Sequence, residues 1–407
     1  MNRRDWPSRT LSDITSAPIV YGIVQPGEPD LTGVPFIQTR DISGDLDREG
    51  LDHVSQRVAT QYQRSAIRTD DVLVALRGQI GSSAIVPSTL DGANISRGVA
   101  RLRISTENAH PDFVHQILQA NPVRQAIEAA SRGSTLREIS IGALRAITVP
   151  TPPLPEQRKI ADILGAWDET IELAQSLRST HLQRRAWLRE NVVTGLVRLP
   201  GFVDNWERSP LSSVLSEHGK RSTGSEEVFS VSVHKGLVNQ VEHLGRSHAA
   251  TSTANYNRVH PDDIVYTKSP TGEFPLGIIK QSKVKQSVLV SPLYGVFTPR
   301  TAELGAMLHA YFESPISTAN YLGPLVQKGA KNTIAITNRR FLEGSLSLPS
   351  DESEQAAIVA VLDASSDELA LLDRQIALLK EQKRGLMQKL LTGDIRVTVD
   401  STEEVTP

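Results

Sequence analysis

The chain has no cysteine in 407 residues, only three methionines, and aromatic residues at 5%. The missing thiols exclude disulfides, thiolate nucleophiles and cysteine-ligated zinc. No run of about 18 apolar residues exists, the length a helix needs to cross a bilayer. Met1-Asn2-Arg3-Arg4-Asp5-Trp6 is not followed by the apolar stretch of a signal peptide. The expectation is a cytoplasmic protein with no membrane association. Nucleotide and metal chemistry are missing as well. The nearest approach to a P-loop, Gly219-Lys220-Arg221, lacks the upstream glycine and the hydroxyl, and there is no Gly-x-Gly-x-x-Gly loop for a dinucleotide or methyl donor. The Asn-Pro-Pro-aromatic motif of amino-methyltransferases is absent, and the ten histidines show no His-Glu-x-x-His spacing. Glu381-Gln382-Lys383 has the Glu-x-Lys spacing of some nucleases, but it falls inside a heptad helix where Lys383 occupies the seam. No catalytic constellation remains.

Net charge is −2, and its distribution matters more than its sum. Residues 1–150 hold 16 basic and 16 acidic residues, every basic one an arginine. Residues 200–349 hold 15 basic and 12 acidic, and residues 350–407 hold 6 basic and 12 acidic. The deficit therefore sits at the C-terminal end, and the balance permits nucleic-acid binding without arguing for it.

What the chain does have is an internal duplication. Pro155-Glu156-Gln157-Arg158-Lys159-Ile160 recurs as Ser353-Glu354-Gln355-Ala356-Ala357-Ile358, and Thr194-Gly195-Leu196-Val197-Arg198 recurs as Thr392-Gly393-Asp394-Ile395-Arg396, both at an offset of 198 residues. Trp6 with Leu11-Ser12 matches Trp206 with Leu211-Ser212 at an offset of 200, and Asp70-Asp71-Val72-Leu73-Val74 resembles Asp262-Asp263-Ile264-Val265-Tyr266. A period this long marks a duplicated module rather than a solenoid.

Pro155 and Glu156 open one helix, and Asp351, Glu352 and Glu354 open the other; Gly195 and Gly393 stop them. A heptad seam runs along the second through Ile358, Leu362, Ser365, Leu369, Leu372, Ile376, Leu379, Lys383, Leu386 and Leu390. Subtracting the offset gives Ile160, Leu164, Trp167, Ile171, Ala174, Arg178, His181, Arg185, Leu188 and Val192, so the first seam is polar in its middle. Arg178, His181 and Arg185 are expected to form a solvated stretch. Each helix, at about 39 residues and 1.5 Å per residue, spans roughly 58 Å. The globular block between them permits an antiparallel pair, a geometry that suits a spacer; a capping role for each helix on its own domain is the alternative.

The remaining blocks mix short strands with helices, an α+β composition. Val72 to Leu76 and Ile264 to Tyr266 read as buried strands, and Phe36-Ile37-Gln38-Thr39 and Phe229 to Val233 as alternating ones. Pro111 to Ala130 reads as helical with a break at Asn121-Pro122, and Ala302 to Phe312 as its counterpart. The blocks share a pattern but little identity, as two readers of different sequences would. Loops after the strands and helices carry the side chains that suit DNA. In the first block these are Arg77, Gly78, Gln79, Arg97, Arg132, Ser134, Thr135 and Arg137; in the second, Lys268, Lys328, Lys331, Asn332, Thr333, Arg339 and Arg340. Arginine bonds two-pronged to guanine and Gln or Asn to adenine, while Lys, Ser, Thr and glycine-rich turns hold phosphates.

Pro153-Leu154-Pro155-Glu156-Gln157-Arg158-Lys159-Ile160-Ala161-Asp162-Ile163-Leu164, followed by the long helix and Thr194-Gly195, resembles the central repeat of type I restriction-modification specificity subunits. The segment ending Leu390-Leu391-Thr392-Gly393-Asp394-Ile395-Arg396 is similar to their distal repeat, although Pro349-Ser350-Asp351-Glu352-Ser353 replaces the usual proline-rich lead. The resemblance covers the whole chain. It implies a target-recognition domain over 1–152, a central helical spacer over 153–198, a second target-recognition domain over 199–349, a distal spacer over 350–396 and an unfolded acidic tail over 397–407. It implies that each domain reads half of an interrupted site in double-stranded DNA while the paired helices set the gap. It also implies docking of two modification (methyltransferase) subunits, with restriction/translocase subunits joining to cut. No cofactor is expected on this chain, S-adenosylmethionine, ATP and Mg being carried by those partners. A duplicated non-DNA adaptor is the competing reading, and it would show no salt-dependent DNA binding. A self-contained methyltransferase-nuclease is disfavoured by the missing cofactor loop.

Overall fold

The computed structural model describes residues 6–43, 46, 50–133, 137–240, 253–328 and 334–398, and in it the duplication is visible strand by strand. The chain forms two units, Met1–Gln175 with Arg374–Pro407, and Ser176–Asp373. Neither long helix belongs to one unit. The first, Leu154–Asn191, and the second, Glu352–Leu390, each contribute one half to either. No helix among the described residues is long and apolar enough to cross a membrane.

The first unit is built on a four-stranded antiparallel sheet ordered Val20–Tyr21, Val99–Leu102, Val72–Ala75, Ser83–Ile85. Val72, Val74, Ala100 and Leu102 face one core, which the helices Pro111–Gln119 and Asn121–Ala130 close. Leu73, Ala75 and Val99 face a second core with Ile37 and Ile95. A strand buried on both faces reads as a continuous apolar run, which is what Val72 to Leu76 is. Phe36-Ile37-Gln38-Thr39 is strand only through Ile37. Asp41 accepts a hydrogen bond from the Gln38 amide at 2.7 Å and turns the chain into a 3-10 helix, Thr39–Ser43. The break expected at Asn121-Pro122 is present, one helix ending at Gln119 and the next starting at Asn121.

The second unit repeats the sheet as Leu215–Glu217, Gly295–Pro299, Ile264–Thr267, Ile278–Gln281, again antiparallel throughout. Its helix spans Ala302–Phe312, as the sequence pattern predicts. In both units an aspartate at positive φ precedes the central strand, Asp70 at 66° and Asp262 at 65°, a backbone region few residues other than glycine adopt. The following aspartates, Asp71 and Asp263, are buried and hold that turn: Asp71 accepts from the Arg68 amide at 2.8 Å and Asp263 from the His260 amide at 2.7 Å.

The repeat motifs at the helix ends serve one clasp made twice. In the second unit Arg198 donates from Nε and Nη2 to the two carboxylate oxygens of Glu354, both at 2.7 Å. Trp206 donates its indole N–H to the same carboxylate at 3.0 Å, and the guanidinium lies over the Trp206 ring at 5.5 Å. In the first unit Arg396 grips Glu156 at 2.5 and 2.7 Å and lies over Trp6 at 5.3 Å. Each clasp joins the start of one repeat to the end of the other. Gly195 is required twice over: its φ of +77° ends the helix, and a Cβ there would come within 2.7 Å of the Trp206 ring. Gln157 and Gln355, buried beside the clasps, donate to the Pro152 and Pro349 carbonyls at 2.7 and 2.9 Å.

Within each unit the helix halves run antiparallel. In the first, Ile160 and Leu164 share a core with Leu390 and Leu391; in the second, Val192 and Val193 share one with Ile358 and Leu362. The heptad register holds. Ile171, Leu369, Leu372 and Ile376 are buried, while Trp167, Leu188, Leu379 and Leu386 are partly so. Lys383 is buried in the seam and pairs with Asp168, so it is structural.

The expected solvated stretch is a correction. Arg178 pairs with Asp373, His181 lies 3.2 Å from Glu368, and Arg185 pairs with Glu313 at 3.1 Å. These side chains are partly buried and paired within the unit, because charge facing charge substitutes for apolar packing where the heptad lacks it. Glu313 also takes Arg189 at 3.1 Å. Burial pushes its carboxyl pKa up, but the His309 hydrogen bond and the charges of Arg185 and Lys280 outweigh it and hold the pKa at about 2. An unfolded glutamate titrates near 4.5, so the pairing contributes fully above that pH and is lost as pH falls towards 2. Glu313→Gln therefore costs on the order of 2 kcal/mol at neutral pH. Urea midpoints measured from pH 7 downward should show that deficit constant to about pH 5 and shrinking by pH 3. A deficit that does not change with pH would mean the pairing is not electrostatic.

Candidate nucleic-acid interface

In the first unit three loops meet at the end of the central strand. The Leu76 amide donates to the Gly98 carbonyl at 2.8 Å, and the Leu76 carbonyl accepts from the Ile139 amide at 2.9 Å. This ties the 77–81 turn to the Arg97-Gly98 loop and to the 131–139 loop. Gly78 and Gly81 make the turn at φ +71° and +81°. Gly98 must be glycine, since a Cβ would sit 2.4 Å from Thr39 Oγ1 and 2.7 Å from Arg77 Nε. Glu138 bridges by backbone to both Arg77 and Arg132. Arg77, Gly78, Gln79, Arg97 and Arg132 are all exposed. Among the described residues, the side chains of Arg77, Arg97 and Arg132 make no hydrogen bond or ion pair. Three guanidinium groups are thus presented by converging loops, each with its donors open to a ligand.

Arg137 differs. Its guanidinium donates to the Glu128 carbonyl at 2.6 Å and to Ser131 Oγ at 3.0 Å, closing the end of the Asn121–Ala130 helix. It is exposed, but part of its donor set is spent on the fold. Ser134 and Thr135 lie outside the described residues.

The second unit offers different cations, one of them after the equivalent strand. Lys268 follows the equivalent strand and is exposed. Surrounding chain partly desolvates its ammonium and draws its pKa below the ordinary lysine value, with the Glu217 carboxylate opposing. Arg339 and Arg340, on the short helix Asn338–Glu343, both pair with Glu343, at 3.1 and 2.8 Å. They remain solvent-facing with one positive charge in surplus. Gln327–Lys328 and Ile334–Ala335 form a two-stranded ribbon. Lys331, Asn332 and Thr333 lie outside the described residues, and of Lys328 only the backbone is described.

Sequence reasoning missed Thr39 and Gly98, whose part is steric, and Asn338, which donates to Glu217 at 2.6 Å. The doubled Asp-Asp before each central strand was a visible signal for the anchored turns at the opposite end of the sheet.

Each unit thus joins the same four-stranded sheet and its loops to one half of each long helix. The family model described as "Type I restriction modification DNA specificity domain" matches residues 5–181 of this chain. The chain is 33% identical over 175 residues to the Type I restriction enzyme EcoBI specificity subunit of Escherichia coli, a match covering 41% of this chain and 36% of that protein. Three curated relatives are matched over 36, 44 and 39% of their length, so the chain spans less than half of each. The fold extends further. The S subunit of a type I restriction-modification system from M. genitalium superposes with a TM-score of 0.56 at 13% identity, covering 98% of both chains. The HsdS subunit of Thermoanaerobacter tengcongensis gives 0.51 at 18% identity, covering 96% of this chain and 97% of that one.

Proposed function

We propose that the chain is the non-catalytic DNA-specificity subunit of a type I restriction-modification enzyme, each unit reading one half of an interrupted site. One observation carries this. The same antiparallel sheet, built twice, carries unlike cationic side chains around it: Arg77, Arg97 and Arg132 on loops in one copy, and in the other Lys268 after the equivalent central strand with Arg339 and Arg340 on a short helix. A common scaffold with unlike loops is what reading two different sequences requires, since base edges rather than phosphates carry sequence information. A duplicated chain in this role imitates a dimeric reader, whose geometry fixes half-site spacing.

In this reading the paired helices set the gap between half-sites and dock two modification subunits, which bring S-adenosylmethionine and methylate adenine. Restriction/translocase subunits bring ATP and Mg. The complex works in the cytoplasm. Mapping methylated adenines across the source genome with and without this gene tests it. Methylation at one interrupted two-part motif disappears on deletion. An unchanged map, together with no DNA binding by the chain assembled with its modification subunits, would leave a protein adaptor instead.

A further inference from the structure

A second basic feature of the first unit lies away from the loops described above. Arg101 stands on the strand Val99–Leu102 and Arg103 just past it, three and five residues from Gly98 at the Arg77 end, or roughly 10 and 16 Å at 3.3 Å per residue. With Arg64 and Arg68 they line a pocket of about 460 Å³. Arg101 is only 6% exposed. Its Nη1 donates to the Arg64 carbonyl at 3.0 Å and its Nη2 to the Pro18 carbonyl at 3.2 Å. Its Nε is buried with no hydrogen-bond partner, and no carboxylate pairs with it among the described residues. Arg103 is already committed, gripping Asp71 at 2.9 and 2.8 Å. Arg64 and Arg68 are exposed, and among the described residues their side chains make no hydrogen bond or ion pair. Among the described residues that line the pocket or bond to its arginines, four guanidinium groups meet two carboxylates, Asp91 in the lining and Asp71 behind Arg103, a surplus of two positive charges.

We propose that this pocket is a phosphate-binding site. A buried guanidinium among like charges is costly unless an anion compensates it, and a phosphate oxygen suits an arginine fork. Burial, and then the neighbouring Arg103 charge, draw the Arg101 pKa down, which a bound anion would reverse. The site is particular to this unit. At the matching register of the second unit, Val296 stands opposite Val265 where Arg101 stands opposite Leu73, and Thr298 rather than an arginine bonds the buried aspartate, at 2.7 Å. A scaffold requirement would have kept the arginines in both copies.

The source of the phosphate is either the DNA backbone or a free phosphate ion, and two measurements on the full chain separate them. The variant is Arg64→Ala with Arg68→Ala, which removes only exposed side chains and should leave thermal unfolding in phosphate-free buffer unchanged. In the first measurement inorganic phosphate is titrated at fixed ionic strength. In the second, duplex binding by the chain with its modification subunits is followed against salt. Loss of roughly tenfold or more in phosphate affinity supports the site. A salt slope shallower by about one per lost contact assigns it to the DNA backbone. Phosphate affinity lost with an unchanged slope assigns it to a free ion. No saturable phosphate binding by the unaltered chain, together with identical slopes, overturns the proposal. Phosphate binding without any DNA binding leaves the pocket standing and removes the specificity-subunit reading.

Discussion

Glu354→Ala unfolds the second unit about 3 kcal/mol more easily than the unaltered chain. The carboxylate is 2% exposed and holds both Arg198 and Trp206. Removing one partner of a buried pair costs roughly 3–5 kcal/mol, because the other charge is left without compensation. Arg198 is 24% exposed and regains some water, which places the loss at the lower end. In a unit of this size that corresponds to a melting point lower by roughly 6–12 °C. Thermal unfolding followed by tryptophan fluorescence reads it, since Trp206 is part of the clasp. The matching variant Glu156→Ala should cost less, because its partner Arg396 is half exposed and water already screens that pair. Equal losses in the two variants, or a shift under about 2 °C for Glu354→Ala, would mean the clasp does not hold the unit.

Arg77→Ala weakens DNA binding about 10- to 100-fold, and the loss depends on the sequence of one half-site only. A two-pronged arginine contact to guanine contributes roughly 1–3 kcal/mol of discrimination. Arg77 is exposed, unpaired among the described residues and passes close to Gly98, so its removal takes a contact and not a structural support. The measurement is a cycle of binding constants for both proteins on duplexes altered in either half. Loss at one half, with the variant indifferent to base changes there, places Arg77 on a base edge. A uniform loss on every duplex, with a salt slope shallower by about one, would place it on a phosphate and end the base-reading role.

Much of the fold was legible because it is written in local periodicity. The heptad spacing located both long helices and picked the residues that are buried, from Ile160 and Leu164 to Ile376 and Leu390. Val72 to Leu76 announced a doubly buried strand by its unbroken apolar run. The candidate site was legible only as composition. Arginines in glycine-bearing loops could be named, but Arg77, Arg97 and Arg132 looked no different from Arg137, which the fold spends on a helix end. Arg101 gave no signal at all, since a buried arginine between valine, alanine and leucine is indistinguishable in sequence from an edge-strand charge.

The sequence by itself determined the duplication, the α+β content, the two helices with their glycine stops and the register of their seam. Each of these is set by contacts within a few residues or by matching two stretches of the same text. Only the tertiary structure decided that Glu156 belongs with Arg396 and Glu354 with Arg198, that the first compact unit is assembled from both ends of the chain, and that the polar middle of the first seam is paired. Those are long-range choices. A carboxylate has no local preference among the arginines of a chain, and burial in a folded core settles which pair can form.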